Sequence, residues 1–105
     1  MIYMSNVLHV NSSEFNDVVA NNDLVFVDFF ATWCGPCKML APSVEKLADE
    51  HPEAKVLKVD VDQENALAMQ FGVQSIPTLI VFKNGQPVSR QMGFMPYEAL
   101  EDMLK

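Results

Sequence analysis

The stretch LVFVDFFATWCGPCK, residues 24–38, decides how the rest of the chain is interpreted. Its first seven residues are apolar except for Asp28, and such a run is typical of a strand that is buried on both faces of a sheet. Its last six residues hold two cysteines around a Gly-Pro pair, which predicts the start of a helix. A buried, unpaired carboxylate is costly, so Asp28 needs an explanation.

Composition indicates one globular domain over residues 1–105. Half of the residues are hydrophobic and 20% are charged, which is typical of a chain that folds around a single core. Seven basic and fourteen acidic residues give a net charge of -7, and no lysine or arginine precedes Lys38. We therefore expect no nucleic-acid partner, because phosphate binding needs a basic face.

The chain carries no recognisable signal for export or for membrane insertion. Residues 1–10, MIYMSNVLHV, lack the basic start and the long apolar stretch of a secretory signal. The longest apolar runs are far shorter than the roughly 20 residues that cross a bilayer. We therefore expect a soluble, cytoplasmic protein with no membrane partner.

Strand and helix patterns alternate along the chain. Asn11 and Glu14 resemble a capping box, Pro42 predicts a kink inside the second helix, and Asn84-Gly85 predicts a tight hairpin. The order β-α-β-α-β-α-β-β-α implies an α/β fold with a central, mostly parallel mixed sheet and helices on both faces. We expect about five strands with a C-terminal antiparallel hairpin, and four helices. The predicted strands cover 7–10, 24–30, 55–61, 78–82 and 88–92, the third helix covers 64–71, and the last has Pro96 in its first turn.

The cysteine pair indicates redox chemistry. Residues three apart at the start of a helix are neighbours, so Cys34 and Cys37 lie at a separation that a disulfide can span. Cys34 precedes the helix, where unpaired backbone N–H groups and the helix dipole favour a thiolate. We therefore expect Cys34 to be the nucleophile and Cys37, more shielded in the first turn, to resolve a mixed disulfide. Pro36 suits that turn because it has no N–H to satisfy.

Two other uses of the cysteine pair are weaker. A structural zinc site needs four ligands, but the only histidines are His9 and His51 and there is no third cysteine, so we expect no metal. An inert bridge over so short a loop would contribute little stability, and a reducing cytosol would break it. The residues favour redox catalysis.

The motif also resembles that of a known family. WCGPCK, residues 33–38, is similar to the active-site signature of the thioredoxins, which are the standard case of Cys-x-x-Cys chemistry. The resemblance covers nearly the whole chain and implies the thioredoxin fold. The other matching stretches are the flanks VDFFAT and MLAP, KVDVDQ at 58–63, FGVQSIPTLIVFKNG at 71–85, and Gly93.

The resemblance implies roles for residues around the cysteines. Asp28 matches a buried carboxylate that exchanges a proton with the second cysteine, and its apolar strand neighbours should raise its pKa. The alternative is a carboxyl that hydrogen bonds merely satisfy in the core. Lys58 matches a lysine that tunes the charge of this carboxylate, and the alternative is an ordinary surface lysine. Gly35 and Pro36 belong to the same signature.

The resemblance further implies a surface for client proteins. Ile76-Pro77 matches the family's cis-proline loop, which would turn the Ile76 backbone toward a client peptide that pairs as an extra strand. Backbone pairing with little side-chain recognition fits broad specificity. The surface would comprise Trp33, Gly72, Val73, Ile76, Pro77 and Gly93, with Phe94 and Met95 as further candidates.

Two positions depart from the family pattern. Phe30 stands where many thioredoxins have Trp, and Ser75 stands where Gly is frequent. Phe30 affects the packing beneath the site, and Ser75 affects the freedom of the client-binding loop. Neither residue changes the sulfur chemistry.

The sequence thus predicts a monomeric dithiol electron carrier that reduces protein disulfides. It would need no cofactor beyond the Cys34–Cys37 disulfide, and its partners would be a thioredoxin reductase and oxidised client proteins. One alternative is a thiol oxidase or disulfide isomerase, which Gly35-Pro36 disfavours because oxidising relatives usually carry His before the second cysteine. The other is a scaffold subunit that uses the same apolar patch without redox chemistry.

Overall fold

The computed structural model describes residues 5–105, and its elements follow the predicted order. Residues 1–4, which begin the stretch examined for a secretory signal, lie outside the described part. Within residues 5–105 no helix is long and apolar enough to cross a membrane. The strands are β1 (Val7–His9), β2 (Leu24–Phe30), β3 (Lys55–Asp60), β4 (Thr78–Lys83) and β5 (Gln86–Met92), and the helices are α1 (Ser12–Asn21), α2 (Gly35–Glu50), α3 (Asn65–Gln70) and α4 (Tyr97–Met103).

The five strands form one mixed sheet in the order β1-β3-β2-β4-β5, which confirms the predicted fold class. β3 pairs in parallel with β1 and β2, whereas β4 pairs antiparallel with β2 and β5. β4 is therefore the strand that runs against the others. The reason is the length of α3: its six residues span about 9 Å, too little to return along a strand of about 20 Å, whereas the sixteen residues of α2 span about 24 Å.

Helices cover both faces of the sheet, and β2 lies in the middle. Phe26 packs with residues of α2 and α4, including Leu40 and Leu100. On the other face, Phe29 packs with residues of α1 and α3, including Phe15. Because side chains alternate along a strand, both faces of β2 are apolar, and this explains its nearly unbroken hydrophobic run.

Two local sequence signals are confirmed. The backbone N–H of Glu14 donates to Asn11 Oδ1 at 2.9 Å and the N–H of Asn11 donates to Glu14 Oε1 at 3.0 Å, which completes the capping box of α1. Asn84 (φ 52°) and Gly85 (φ 82°) form the two-residue turn between β4 and β5. Both residues have positive φ, as a hairpin turn of this kind requires.

Some predicted boundaries move by one or two residues. Pro96 is not in the first turn of α4 but is its N-cap, with an extended backbone (φ -66°, ψ 158°). Proline fixes φ but leaves ψ free, so it can stand just before a helix as well as inside it. β5 begins at Gln86 rather than Val88, because the hairpin pairs directly from the turn. Pro42 lies inside a continuous α2, and the kink there stays a prediction.

His51 joins the end of α2 to α4. Its Nε2 lies 2.7 Å from Glu101 Oε2, and its Nδ1 lies 3.0 Å from Glu53 Oε2. The hydrogen bond with Glu101, and then that with Glu53, raises the pKa of His51 above its usual 6.5. The stabilisation from this cluster is therefore complete below the unfolded-state pKa and is lost as the pH rises through the higher folded-state pKa.

Replacing His51 with glutamine should lower stability mainly in mild acid. At a pH below the usual pKa of 6.5 the wild-type imidazolium bonds to both carboxylates, whereas at a pH above its raised pKa it is neutral and the variant should differ little from wild type. Urea unfolding at both pH values measures the change, with His9→Gln as the control histidine. An equal loss of unfolding free energy at both pH values would mean that protonation of His51 is not involved.

Candidate active site

The two cysteines lie where β2 gives way to α2. Cys34 is the N-cap of α2 and Cys37 lies in its first turn, together with Pro36. The residues form a disulfide with 5.2 Å between their Cα atoms. Cys34 Sγ accepts a hydrogen bond from the backbone N–H of Cys37 at 3.2 Å. One of the helix's free N–H groups thus points at the sulfur that the sequence singles out as the nucleophile.

The predicted difference in shielding between the two cysteines is small in the disulfide form. Cys34 is 4% exposed and Cys37 is 2% exposed, because both pack in a small cluster with Phe30 and Ala31. What distinguishes Cys34 is its surroundings. Its Sγ caps the helix and lies 3.8 Å from the carbonyl oxygen of Ile76.

Asp28 is fully buried on the face of β2 that α2 covers. It lies between Phe26, which packs under α2 and α4, and Phe30, which packs against the cysteines. Within residues 5–105, neither carboxylate oxygen has a hydrogen-bond partner. Burial raises the pKa of Asp28 to about 6, and the charge of Lys58 acts in the opposite direction. No protein group among the described residues therefore hydrogen bonds to this carboxyl.

Lys58 is paired with Asp28 across the β2–β3 ladder. It is half-buried, with its Nζ 4.3 Å from the centre of the Phe30 ring, so the aromatic face holds the ammonium near the site. A cavity of about 220 Å³ beside it is lined by Phe30, Cys37 and Lys58, among others. Lys58 thus lies beside the site, and the same cavity is lined by Lys58 and by the second cysteine.

The segment before β4 faces the disulfide. Its Ile76-Pro77 bond is cis, as predicted, and Ile76 packs against the cysteine cluster. The backbone N–H of Gly93 donates to the Pro77 carbonyl at 2.8 Å, which brings the end of β5 beside this segment. Gly72 and Gly93 have φ values of +63° and +87°, a region that other residues rarely adopt.

The apolar side chains of the predicted client surface differ in exposure. Trp33 is 69% exposed, and its Nε1–H donates to Asp62 Oδ2 at 2.9 Å. Phe94 is also exposed, as a contact residue would be. Val73 and Met95 instead pack, partly buried, against the two core clusters. Met95 in particular is a core neighbour rather than a free contact, because it lies just before α4, whose apolar face it extends.

Comparison with known proteins agrees with this fold and site. The family model described as Thioredoxin matches residues 6–105. The chain belongs to the thioredoxin family. It is 48% identical over 103 residues to a thioredoxin of Haemophilus influenzae, covering 96% of both chains, and 47% identical over 100 residues to a thioredoxin of Staphylococcus saprophyticus, covering 94% of this chain and 95% of the relative.

Solved thioredoxin structures have the same architecture. A mutant thioredoxin from Halobacterium salinarum superposes with a TM-score of 0.90 at 42% identity, covering 99% of this chain and 93% of that one. Oxidised mitochondrial thioredoxin 3 from Saccharomyces cerevisiae gives a TM-score of 0.86 at 35% identity, covering 93% and 92%. The chain is accordingly a disulfide oxidoreductase of the thioredoxin family, and Cys34–Cys37 is its redox-active pair.

The sequence did not reveal three contacts around this pair. Asp62 lies in a stretch that resembles other thioredoxins, but nothing in that stretch indicates that its carboxylate anchors the Trp33 indole. His9 contacts the Phe30 ring edge-on at 5.8 Å, and Arg90 reaches the end of α3 from β5. Each contact joins residues far apart in the chain. Within residues 5–105 no group of three His, Cys, Asp or Glu side chains is placed to hold a metal ion.

Proposed function

We propose that the chain is a general protein-disulfide reductase and dithiol electron carrier in which Cys34 attacks and Cys37 resolves. The observation that carries the proposal is the position of Cys34 Sγ, which caps α2 and accepts the Cys37 N–H at 3.2 Å. This donor and the helix dipole stabilise a negative charge on Cys34. Cys37 lies inside the first turn and is better placed to complete the reaction than to begin it.

The reaction moves two electrons from the dithiol to the client. The Cys34 thiolate attacks one sulfur of a client disulfide, that S–S bond breaks, and the departing client thiolate takes up a proton. Cys37 then loses its proton and attacks Cys34 Sγ, which releases the second client sulfur and leaves the Cys34–Cys37 disulfide. The electrons reside on the two sulfurs, so the proposal includes no bound cofactor.

Asp28 receives the proton of Cys37 in this proposal. A carboxyl with a pKa of about 6 is ionised near neutral pH and is a stronger base than an ordinary aspartate. Lys58, next to Asp28 across the ladder, keeps that pKa from rising further. The cavity lined by Cys37 and Lys58 provides room for a water molecule to carry the proton to solvent.

Client proteins bind, in this proposal, over Trp33 and the segment that faces Cys34. The Ile76 carbonyl, 3.8 Å from Cys34 Sγ, would accept a backbone N–H of the client and so align its disulfide with the attacking sulfur. Gly35 and Pro36 are exposed beside the cysteines and let a client approach. The remaining residues of this surface are Gly72, Val73 and Gly93, whereas Pro77 is buried and takes part through its carbonyl, which accepts the Gly93 N–H.

The proposal extends to the partners and the location of the protein. A thioredoxin reductase would return electrons to Cys34–Cys37, and the protein would act as a monomer in the cytoplasm, where client disulfides need reduction. Family membership and the 48% identity with a bacterial thioredoxin support this. Sedimentation of the purified protein and fractionation of the source cells test the last two points.

Insulin reduction tests the proposed function. With dithiothreitol as the electron source, the wild-type chain should speed the precipitation of reduced insulin well beyond dithiothreitol alone. A scaffold subunit would leave that rate unchanged. Equilibration of the Cys34–Cys37 pair with glutathione then separates a reductase from an oxidase. A reductase pair has a low reduction potential and forms its disulfide even in a reducing glutathione buffer, whereas an oxidase pair stays in the dithiol form there. A strongly oxidising pair would contradict the proposal.

A further inference from the structure

Residues 72–77, here called the client loop, join α3 to β4 and place Ile76 beside the disulfide. The position of the loop matters because the Ile76 carbonyl lies only 3.8 Å from Cys34 Sγ. A client strand that pairs with this backbone would be displaced by any shift of the loop. The contacts that hold the two ends of the loop therefore bear on client binding.

The first end of the client loop leaves α3 through a left-handed turn at Gly72. The N–H of Gly72 donates to the Met69 carbonyl at 3.0 Å, and the N–H of Val73 donates to the Ala68 carbonyl at 2.9 Å. These two bonds make up a Schellman motif. They satisfy carbonyls inside α3 but use neither the Gly72 carbonyl nor the one before it.

Arg90 of β5 binds those two carbonyls. Its Nη1 donates to the carbonyl oxygen of Phe71, and its Nη2 donates to that of Gly72 at 2.9 Å. Arg90 is itself held in the sheet, since it pairs with Ile80 of β4. A planar guanidinium that holds two consecutive carbonyls fixes both the position and the orientation of the backbone there.

The second end of the client loop is also held by β5. Ser75 Oγ donates to Met92 Sδ at 3.2 Å, and the Gly93 N–H donates to the Pro77 carbonyl at 2.8 Å. Strand β5 thus holds the loop from both sides. At the entry side, the Arg90 side chain adds to the two backbone bonds of the Schellman motif and connects this end of the loop to β5.

We propose that Arg90 is a positioning residue for client binding, which it supports by holding the start of the client loop against β5. The inference rests on the proposed function, since it takes residues 72–77 as the place where clients bind. Arg90 touches neither sulfur, so its removal should weaken client binding while the chemistry of Cys34 stays the same.

The test replaces Arg90 with methionine, which keeps an apolar stem but no donor, and with lysine, which keeps the charge and a single ammonium. For Arg90→Met we expect the KM for insulin to rise roughly threefold to tenfold, the effect of losing hydrogen bonds from a charged donor at an exposed site, with kcat changed less. Arg90→Lys should recover part of the loss. Lys55→Met, which removes an exposed cation at the start of β3, is the matched control and should leave KM unchanged.

Alkylation of Cys34 by iodoacetamide separates positioning from chemistry. In Arg90→Met its rate and pH profile should match wild type. An unchanged KM, or a slower alkylation of Cys34, would overturn the inference. If Arg90→Met fails to fold, hydrogen exchange of the Val73 and Ile76 amides in Arg90→Lys tests the inference instead. Exchange that is no faster in this variant than in wild type would overturn the inference. Failure of the proposed function would show separately, as wild-type protein that does not reduce insulin.

Discussion

Replacing Cys37 with serine should stop turnover and leave the client bound to Cys34 through a disulfide. Cys34 stays at the N-cap of α2, where backbone N–H groups stabilise its thiolate, so the first attack still occurs. The serine hydroxyl is far less acidic than a thiol and cannot displace the client sulfur, so the mixed disulfide persists. Non-reducing gel electrophoresis and mass spectrometry after incubation with insulin would detect the adduct.

Cys34→Ser is the matched control, because it removes the other sulfur from the same turn. It should neither turn over nor form an adduct, since the backbone N–H group that stabilises a thiolate points at Cys34 Sγ, the N-cap position, and Cys37 lies inside the turn. An adduct on Cys37 in this variant, with none on Cys34 in Cys37→Ser, would reverse the assigned roles. A scaffold subunit would bind its partner equally well in both variants and without a covalent bond.

Asp28→Asn should slow the second step of the reaction near neutral pH. Without the carboxylate, Cys37 has no buried base to take its proton, and release of the client should slow by up to about a hundredfold. The difference should shrink toward about pH 9, where a thiol ionises unaided. Single-turnover decay of a preformed mixed disulfide across this pH range measures the effect. Equal rates for both proteins at every pH would remove Asp28 from the mechanism.

The same substitution should change how stability depends on pH. The carboxyl of Asp28 has a pKa of about 6 in the folded chain, above its usual pKa of 3.8, so the unfolded state ionises first and wild-type stability falls as pH rises through this window. The full shift in the pKa of Asp28 corresponds to about 3 kcal/mol of unfolding free energy. The free energy of unfolding of Asp28→Asn, relative to that of wild type, should therefore rise by up to that amount as the pH increases from about 4 to about 8. Urea unfolding of the oxidised proteins at both pH values tests this, and parallel curves would contradict it.

Local patterns predicted much of the fold because neighbouring residues cause it. The capping box at Asn11 and the turn at Asn84-Gly85 depend on backbone geometry over a few positions. The direction of β4 is harder to predict, because it depends on the length of α3 relative to the length of β3, the strand before it. Pro96 shows a similar limit: its ring sets φ, but the tertiary structure sets its ψ of 158° and hence where α4 begins.

The site was predicted to the extent that its chemistry lies in one short stretch. Cys34 and Cys37 are three positions apart, and an aspartate in an apolar strand stands out, so the sequence alone draws attention to these three residues. The contacts of Trp33 with Asp62 and of Arg90 with the end of α3 join different elements. Polar residues of ordinary loops and strands carry no local sign of such partners, so only the structure reveals them.

The central claim is that the start of α2 makes Cys34 an anionic nucleophile while Cys37 stays protonated until Asp28 takes its proton. Iodoacetamide alkylation of the reduced protein as a function of pH, with the modified cysteine identified by mass spectrometry, tests it most directly. We expect Cys34 to be alkylated before Cys37. The rate of Cys34 alkylation should reach half of its maximum at a pH well below the pKa of a free thiol, which is about 8.5. Ionisation of Cys34 at the pH of a free thiol, with Cys37 alkylated equally fast, would contradict the account.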